Sequence, residues 1–197
     1  MAVESTDGGQ TWEVHSLPWG TSHYVYGVDA TTWIVIAQQF DAPGGTYRTT
    51  TAGRVAGAID TAAWTKVDSM LHCHGAFTPF VDPCDGGLYF AGSEGVKRTY
   101  DGGATWETVA GNAGACTVVG SRNYLYVSSL FNGDNRRLDR RVSPGKWENT
   151  PVMWGDGIAP YAAASTFDRE HGVWVILQFS YGSDSVNGDI WRLVEPR

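Results

Sequence analysis

Apolar residues along the chain come in short runs, and the stretches between them are rich in Gly, Asp, Asn and Pro. Trp33-Ile34-Val35-Ile36-Ala37 and Leu88-Tyr89-Phe90-Ala91 are examples. Runs of this length between turn signals predict β-strands. Read in order, they fall into a recurring set of four, A to D. Strand A is expected at residues 24–28, 76–81, 116–119 and 161–166, and strand B at 33–37, 88–91, 124–128 and 173–177. Strand C follows at 46–50, 96–100, 137–142 and 190–194, with a stub at 2–5, and strand D begins at Trp12, Trp64, Trp106 and Trp147.

The strands are tied together by a repeat. Ser5-Thr6-Asp7-Gly8-Gly9-Gln10-Thr11-Trp12 matches Thr99-Tyr100-Asp101-Gly102-Gly103-Ala104-Thr105-Trp106 at Ser/Thr, Asp, both Gly, Thr and Trp. Weaker copies retain the Trp and its polar follower, Ala63-Trp64-Thr65 after Arg48-Thr49-Thr50 and Lys146-Trp147-Glu148 after Arg141 to Gly145. An Asp followed by two Gly supplies an Asx-type acceptor and the positive φ angles of a tight turn. Four short antiparallel strands per repeat of about 40 to 50 residues describe a propeller blade.

These two octapeptides resemble the Asp-box, or bacterial neuraminidase repeat, of sialidases, xyloglucanases, sortilin-type receptors and photosystem assembly factors. The resemblance implies an all-β fold, a small β-propeller of four-stranded antiparallel blades in a single domain. In that family the box joins the third and fourth strands, its Asp holding the turn and its Trp packing between blades. Ser5, Asp7, Gly9, Thr11 and Trp12, with Thr99, Asp101, Gly103, Thr105 and Trp106, are therefore expected to be structural. Blades are expected at 21–70, 74–111, 115–153 and 158–197, with residues 1–17 closing the ring by adding 12–16 to the sheet of residues 158–195. The alternatives are five blades, or an incomplete ring completed by a partner chain.

In a propeller the D–A and B–C connections share one face, where ligands usually bind. Trp19 and Trp154, each seven residues past a blade Trp and followed by Gly, stand on D–A connections. The B–C loops bring Phe40, Asp41, Phe131, Asn132, Asp134, Arg136, Tyr181 and Asp184 to the same side. Aromatic platforms with polar rims suit a saccharide or a protein partner. The other reading of the two indoles is that they plug the central channel or pack under neighbouring loops.

Composition narrows the function further. The 197 residues suffice for one sizeable core, and 42% are hydrophobic, 25 are Gly and only 18% are charged, which fits neither disorder nor a coiled coil. A net charge of −7 argues against nucleic acid as partner. No apolar run reaches membrane length and no secretory signal is evident, so membrane insertion is not expected. Cys73, Cys84 and Cys116 are odd in number, which argues for reduced thiols. No cofactor is expected. Calcium would have to use Asp184 to Asp189, which lacks EF-hand spacing; zinc would have to use His72-Cys73-His74 with His23, but alternation on a strand points Cys73 away from the two His. Arg136, Arg137, Arg140 and Arg141 read as a solvated edge.

Glycoside hydrolysis needs two carboxyl groups across a cleft, and no spacing singles out a pair. The Arg-Ile-Pro segment of sialidases is absent, and Ala91-Gly92-Ser93-Glu94-Gly95 only approximates a nucleophile elbow. The expectation is a non-enzymatic binding propeller, a bacteriophage tail or surface component made in the host cytoplasm and carried in the virion, as an oligomer or part of a larger assembly. The alternatives are a cytoplasmic assembly factor and a small sialidase-like or xyloglucanase-like hydrolase.

Overall fold

The computed structural model describes residues 2–15, 23–37, 44–70, 79–111, 115–120, 123–129, 136–139, 147–149, 161–162, 173–179 and 189–194. The protein is all-β: among the described residues there is no α-helix, and the strands form several antiparallel sheets, none of them closed. The chain divides into two compact units, one made of Met1–His72 with Asp101–Trp106, the other of Cys73–Tyr100 with Glu107–Arg197.

In the first unit, β1 (Ala2–Glu4) pairs with β2 (Glu13–His15) as a two-stranded ribbon. A four-stranded sheet follows in the order β3 (His23–Gly27), β4 (Trp33–Ala37), β5 (Gly45–Thr49) and then β8 (Thr65–Asp68). Between β5 and β8 the chain makes a small ribbon of its own, β6 (Arg54–Val55) and β7 (Ala58–Ile59), and one 3-10 turn, Thr61–Ala63, capped by Asp60. Strand β4 is buried on both faces, from Ile34 to Ala37, which explains its nearly unbroken apolar sequence. On one side Val35, Ala37, Tyr47 and Trp64 form a cluster on which Trp33 and Ala63 pack.

The second unit holds three sheets. The first runs β9 (Phe80–Val81), β10 (Leu88–Gly92), β11 (Gly95–Thr99), β12 (Glu107–Ala110). The second runs β13 (Ala115–Gly120), β14 (Tyr124–Ser129), β15 (Arg136–Asp139), β16 (Trp147–Asn149). The third has β17 (Tyr161–Ala162), β18 (Val173–Phe179) and β19 (Asp189–Val194). Tyr89, Val96 and Val109 of the first sheet join Val118, Leu125 and Val127 of the second in one core.

The sheets β3–β4–β5–β8 and β9–β12 share a defect. In each, the pairing of third and fourth strands slips between the second and third residues of the third strand, at Thr46/Tyr47 and at Val96/Lys97. Such a bulge bends the strand and adds twist, so the two sheets repeat an irregularity as well as a strand order. The expected addition of residues 12–16 to the sheet of residues 158–195 is not among the described pairings. Strand β2 pairs with β1 because residues 5–12 make a local hairpin turn between them.

Candidate functional site

The two octapeptides fold into the same turn. Asp7 Oδ1 accepts from the N–H groups of Gln10 at 3.0 Å and Thr11 at 2.9 Å, its Oδ2 accepts from Thr11 Oγ1 at 2.6 Å, and Ser5 Oγ donates to Oδ1 at 2.9 Å. Asp101 accepts from Thr105 N at 2.9 Å and Thr105 Oγ1 at 2.6 Å. Each Trp then closes its turn through Nε1, Trp12 to Gly9 O at 3.2 Å and Trp106 to Gly103 O at 3.1 Å. The glycines take φ of +73° and +90° in the first turn and +63° and +83° in the second, values that L side chains adopt only with strain. The hydrogen bonds from the Thr11 hydroxyl and N–H hold the Asp7 carboxyl down at about 2. These carboxylates are occupied by the turn and are poorly placed for proton transfer.

Their surroundings differ. In the turn 101–106, Gly102 O accepts from Arg48 Nε at 2.8 Å, and Gly103 lies so close to β4 that a Cβ there would stand 2.5 Å from Ile34 Cδ1. Around Gly8 a Cβ would meet nothing within 4 Å, and Trp12 is 61% exposed.

A third turn of this kind forms in the weaker copy after Arg48-Thr49-Thr50, where Asp-Gly-Gly is lost. Thr49 Oγ1 accepts from Thr51 N and Gly53 N, both at 3.2 Å, as Ser5 Oγ accepts from Gly9 N at 2.6 Å. Ala52 and Gly53 take positive φ, +50° and +71°, where the full boxes have two glycines. Here Thr51 stands in place of Asp, and its hydroxyl donates to Arg54 O at 2.6 Å. The only sequence signal is the string Thr49-Thr50-Thr51-Ala52-Gly53, aligned on Thr99 to Gly103.

A dense polar cluster among the described residues was also not legible as a motif. Asp85 Oδ2 accepts from Tyr89 OH at 2.5 Å, Tyr100 OH at 3.0 Å and Arg98 at 3.3 Å, while Oδ1 accepts from Gly87 N at 2.7 Å. Arg98 also donates to Glu107 at 2.8 Å and Tyr89 OH at 3.1 Å, and its guanidinium lies 4.7 Å from the centre of the Tyr100 ring. Burial works to raise the Asp85 pKa, but the bonds from Tyr89, Gly87 and Tyr100 and the Arg98 charge outweigh it and leave the carboxyl below its ordinary range. Burial and the Asp85 carboxylate both push the Tyr89 phenol up. Tyr89, only 1% exposed and with its phenol held protonated, is not a reachable nucleophile, whereas Tyr100, bonded to the same carboxylate, is 58% exposed. The cluster fastens the loop before β10 to the sheet.

Most of the residues expected to bind, Trp19, Trp154, Phe40, Asp41, Phe131, Asn132, Asp134, Tyr181 and Asp184, lie outside the described residues, as do His72, Cys73 and His74. Arg136 opens β15, in register with Val127 and Asn149. Cys84 carries an exposed thiol in the loop before β10. Among the described residues no three His, Cys, Asp or Glu converge as a metal would require, and no helix is long and apolar enough to cross a membrane. No protein-family model matches the chain, and no curated protein matches it.

Proposed function

We propose that the chain is a non-enzymatic binding and assembly protein built as an Asp-box β-propeller, working as a bacteriophage tail or surface component. The observation that carries this reading is the box turn itself, formed twice with the same Asp, Thr and Trp bonds between consecutive antiparallel strands. Repetition of the four-strand order and of the bulge in the third strand supports blades. The carboxylates of Asp7, Asp85 and Asp101 are spent on turns and networks, which favours binding over hydrolysis. The ligand is a host-surface glycan or a neighbouring virion protein, held on the face that carries Trp19, Trp154 and the B–C loops.

The test is a glycan array, with a pull-down against the other virion proteins, run on wild type and on Trp19→Ala and Trp154→Ala, with circular dichroism as the folding control. Loss of binding of tenfold or more in folded variants supports the reading, as expected for truncation of aromatic anchors. Folded variants that bind as wild type would overturn the assignment of the face. A strongly helical far-ultraviolet spectrum would overturn the fold reading.

A further inference from the structure

Strand register gathers one exposed aromatic ring and two carboxylates around a single guanidinium. Arg98 stands opposite Tyr89 on β10 and Glu107 on β12. Tyr100 lies just past the end of β11, and Asp85 reaches in from the loop before β10. All five residues belong to the second compact unit and to its unbroken described stretch 79–111, so the group is complete within that unit. Tyr100 is held at two points. Its hydroxyl donates to Asp85 Oδ2 at 3.0 Å, and Arg98 covers one face of the ring at 4.7 Å from its centre. The residue is nevertheless exposed, and the face turned away from Arg98 is the one open to a ligand. A ring fixed in advance loses little freedom when something stacks on it.

The chemistry around the ring selects the ligand. Arg98 spends its guanidinium on Asp85, Tyr89 and Glu107, and its side chain is only 16% exposed. An anionic ligand would find no open cation there and would meet two carboxylates on a chain of net charge −7. Glu107, with 56% of its side chain exposed, gives Arg98 only Oε2. Its Oε1 has no partner among the described residues and is a spare acceptor at the rim. An apolar face beside a spare acceptor matches a ring with C–H groups on one side and hydroxyl donors round its edge. Tyr100 is the one exposed aromatic among residues 79–111, far short of the roughly 800 Å² per partner of a stable protein contact. We propose that Tyr100 and Glu107, braced by Arg98 and Asp85, bind a neutral pyranose, Tyr100 stacking on its C–H face and Glu107 accepting from its hydroxyls. The site uses none of the residues assigned to the Trp19 and Trp154 face and does not depend on reading the sheets as blades.

Titration of the wild-type chain with methyl β-galactoside, methyl α-glucoside and methyl α-mannoside, followed by amide chemical shifts, tests it. N-acetylneuraminic acid is the anionic comparison. At least one neutral glycoside is expected to move the resonances of residues 85–89 and 98–107 in a saturable way, and the acid to leave them in place. Tyr100→Ala should weaken that binding at least tenfold, as truncation of an aromatic anchor does, while Tyr100→Phe, which keeps the ring, should bind nearly as wild type. The wild-type shift map needs no variant and carries the test if Tyr100→Ala unfolds. Any one of four results overturns the proposal: no saturable shift with any of the three glycosides, shifts confined to other residues, undiminished binding by folded Tyr100→Ala, or preference for the acid. Trp19→Ala and Trp154→Ala should leave the shifts at residues 85–89 and 98–107 unchanged, so failure of that face and failure of this site are told apart.

Discussion

Asp101 and its partner Thr105 show how much structure one carboxylate holds. Replacing Asp101 with Ala leaves Thr105 N–H and its hydroxyl without their acceptor. The expected loss is about 1–2 kcal/mol, the lower part of the range for bonds to a charged group because the turn faces solvent; chemical denaturation of wild type, Asp101→Ala and Asp101→Asn measures it, Asn falling between the other two. Gly103→Ala and Gly8→Ala separate backbone strain from crowding. Both force a side chain into positive φ, at roughly 1–2 kcal/mol, but only Gly103→Ala also drives a methyl into Ile34, so its melting temperature should fall clearly further. Asp7 supplies the pH test. Its carboxyl titrates at about 2, below the usual 3.8, so its stabilising effect is complete above 3.8 and disappears as pH falls through 2. Carbon-13 detected titration of the carboxyl should locate that midpoint.

Strand B was legible because a central strand buried on both faces reads as a plain apolar run, as Trp33 to Ala37 does, and Gly or Asp marks its ends. The two full boxes were legible because Asp-Gly-Gly and Trp each serve a need that few residues meet. The third turn was not, since a Thr hydroxyl at residue 49 can accept the same N–H bond and Ala52 can be held at positive φ by its surroundings. Nor was the cluster of Asp85, Tyr89, Arg98, Tyr100 and Glu107, whose members become neighbours only through strand register. Register also places Glu4 directly opposite Glu13, a repulsive pair, and Arg54 from β6 bonds to both carboxylates. Arg54→Ala should lower the melting temperature at low salt, and the difference should shrink as salt screens the two glutamates; melting curves at several ionic strengths decide it.

For the molecule as a whole, an excess of Gly and aromatic residues over charged ones already spoke for an all-β chain, and the sheets carry that out with local hairpins. What composition could not convey is how a four-stranded sheet accommodates extra chain. The β6–β7 ribbon leaves the third strand after the turn 49–53 and returns before the fourth, its base closed by Asp60 N–H to Gly53 O at 2.9 Å. The two-residue loop at Ala56 and Gly57 stands clear, with nothing within 4 Å of a Cβ on Gly57. Lengthening a loop whose ends are already fixed costs little, about 0.6 kcal/mol per doubling. This position is therefore a natural port for cargo: a ten-residue epitope inserted between Ala56 and Gly57 should be recognised by its antibody on the intact protein, with the melting temperature within a few degrees of the parent.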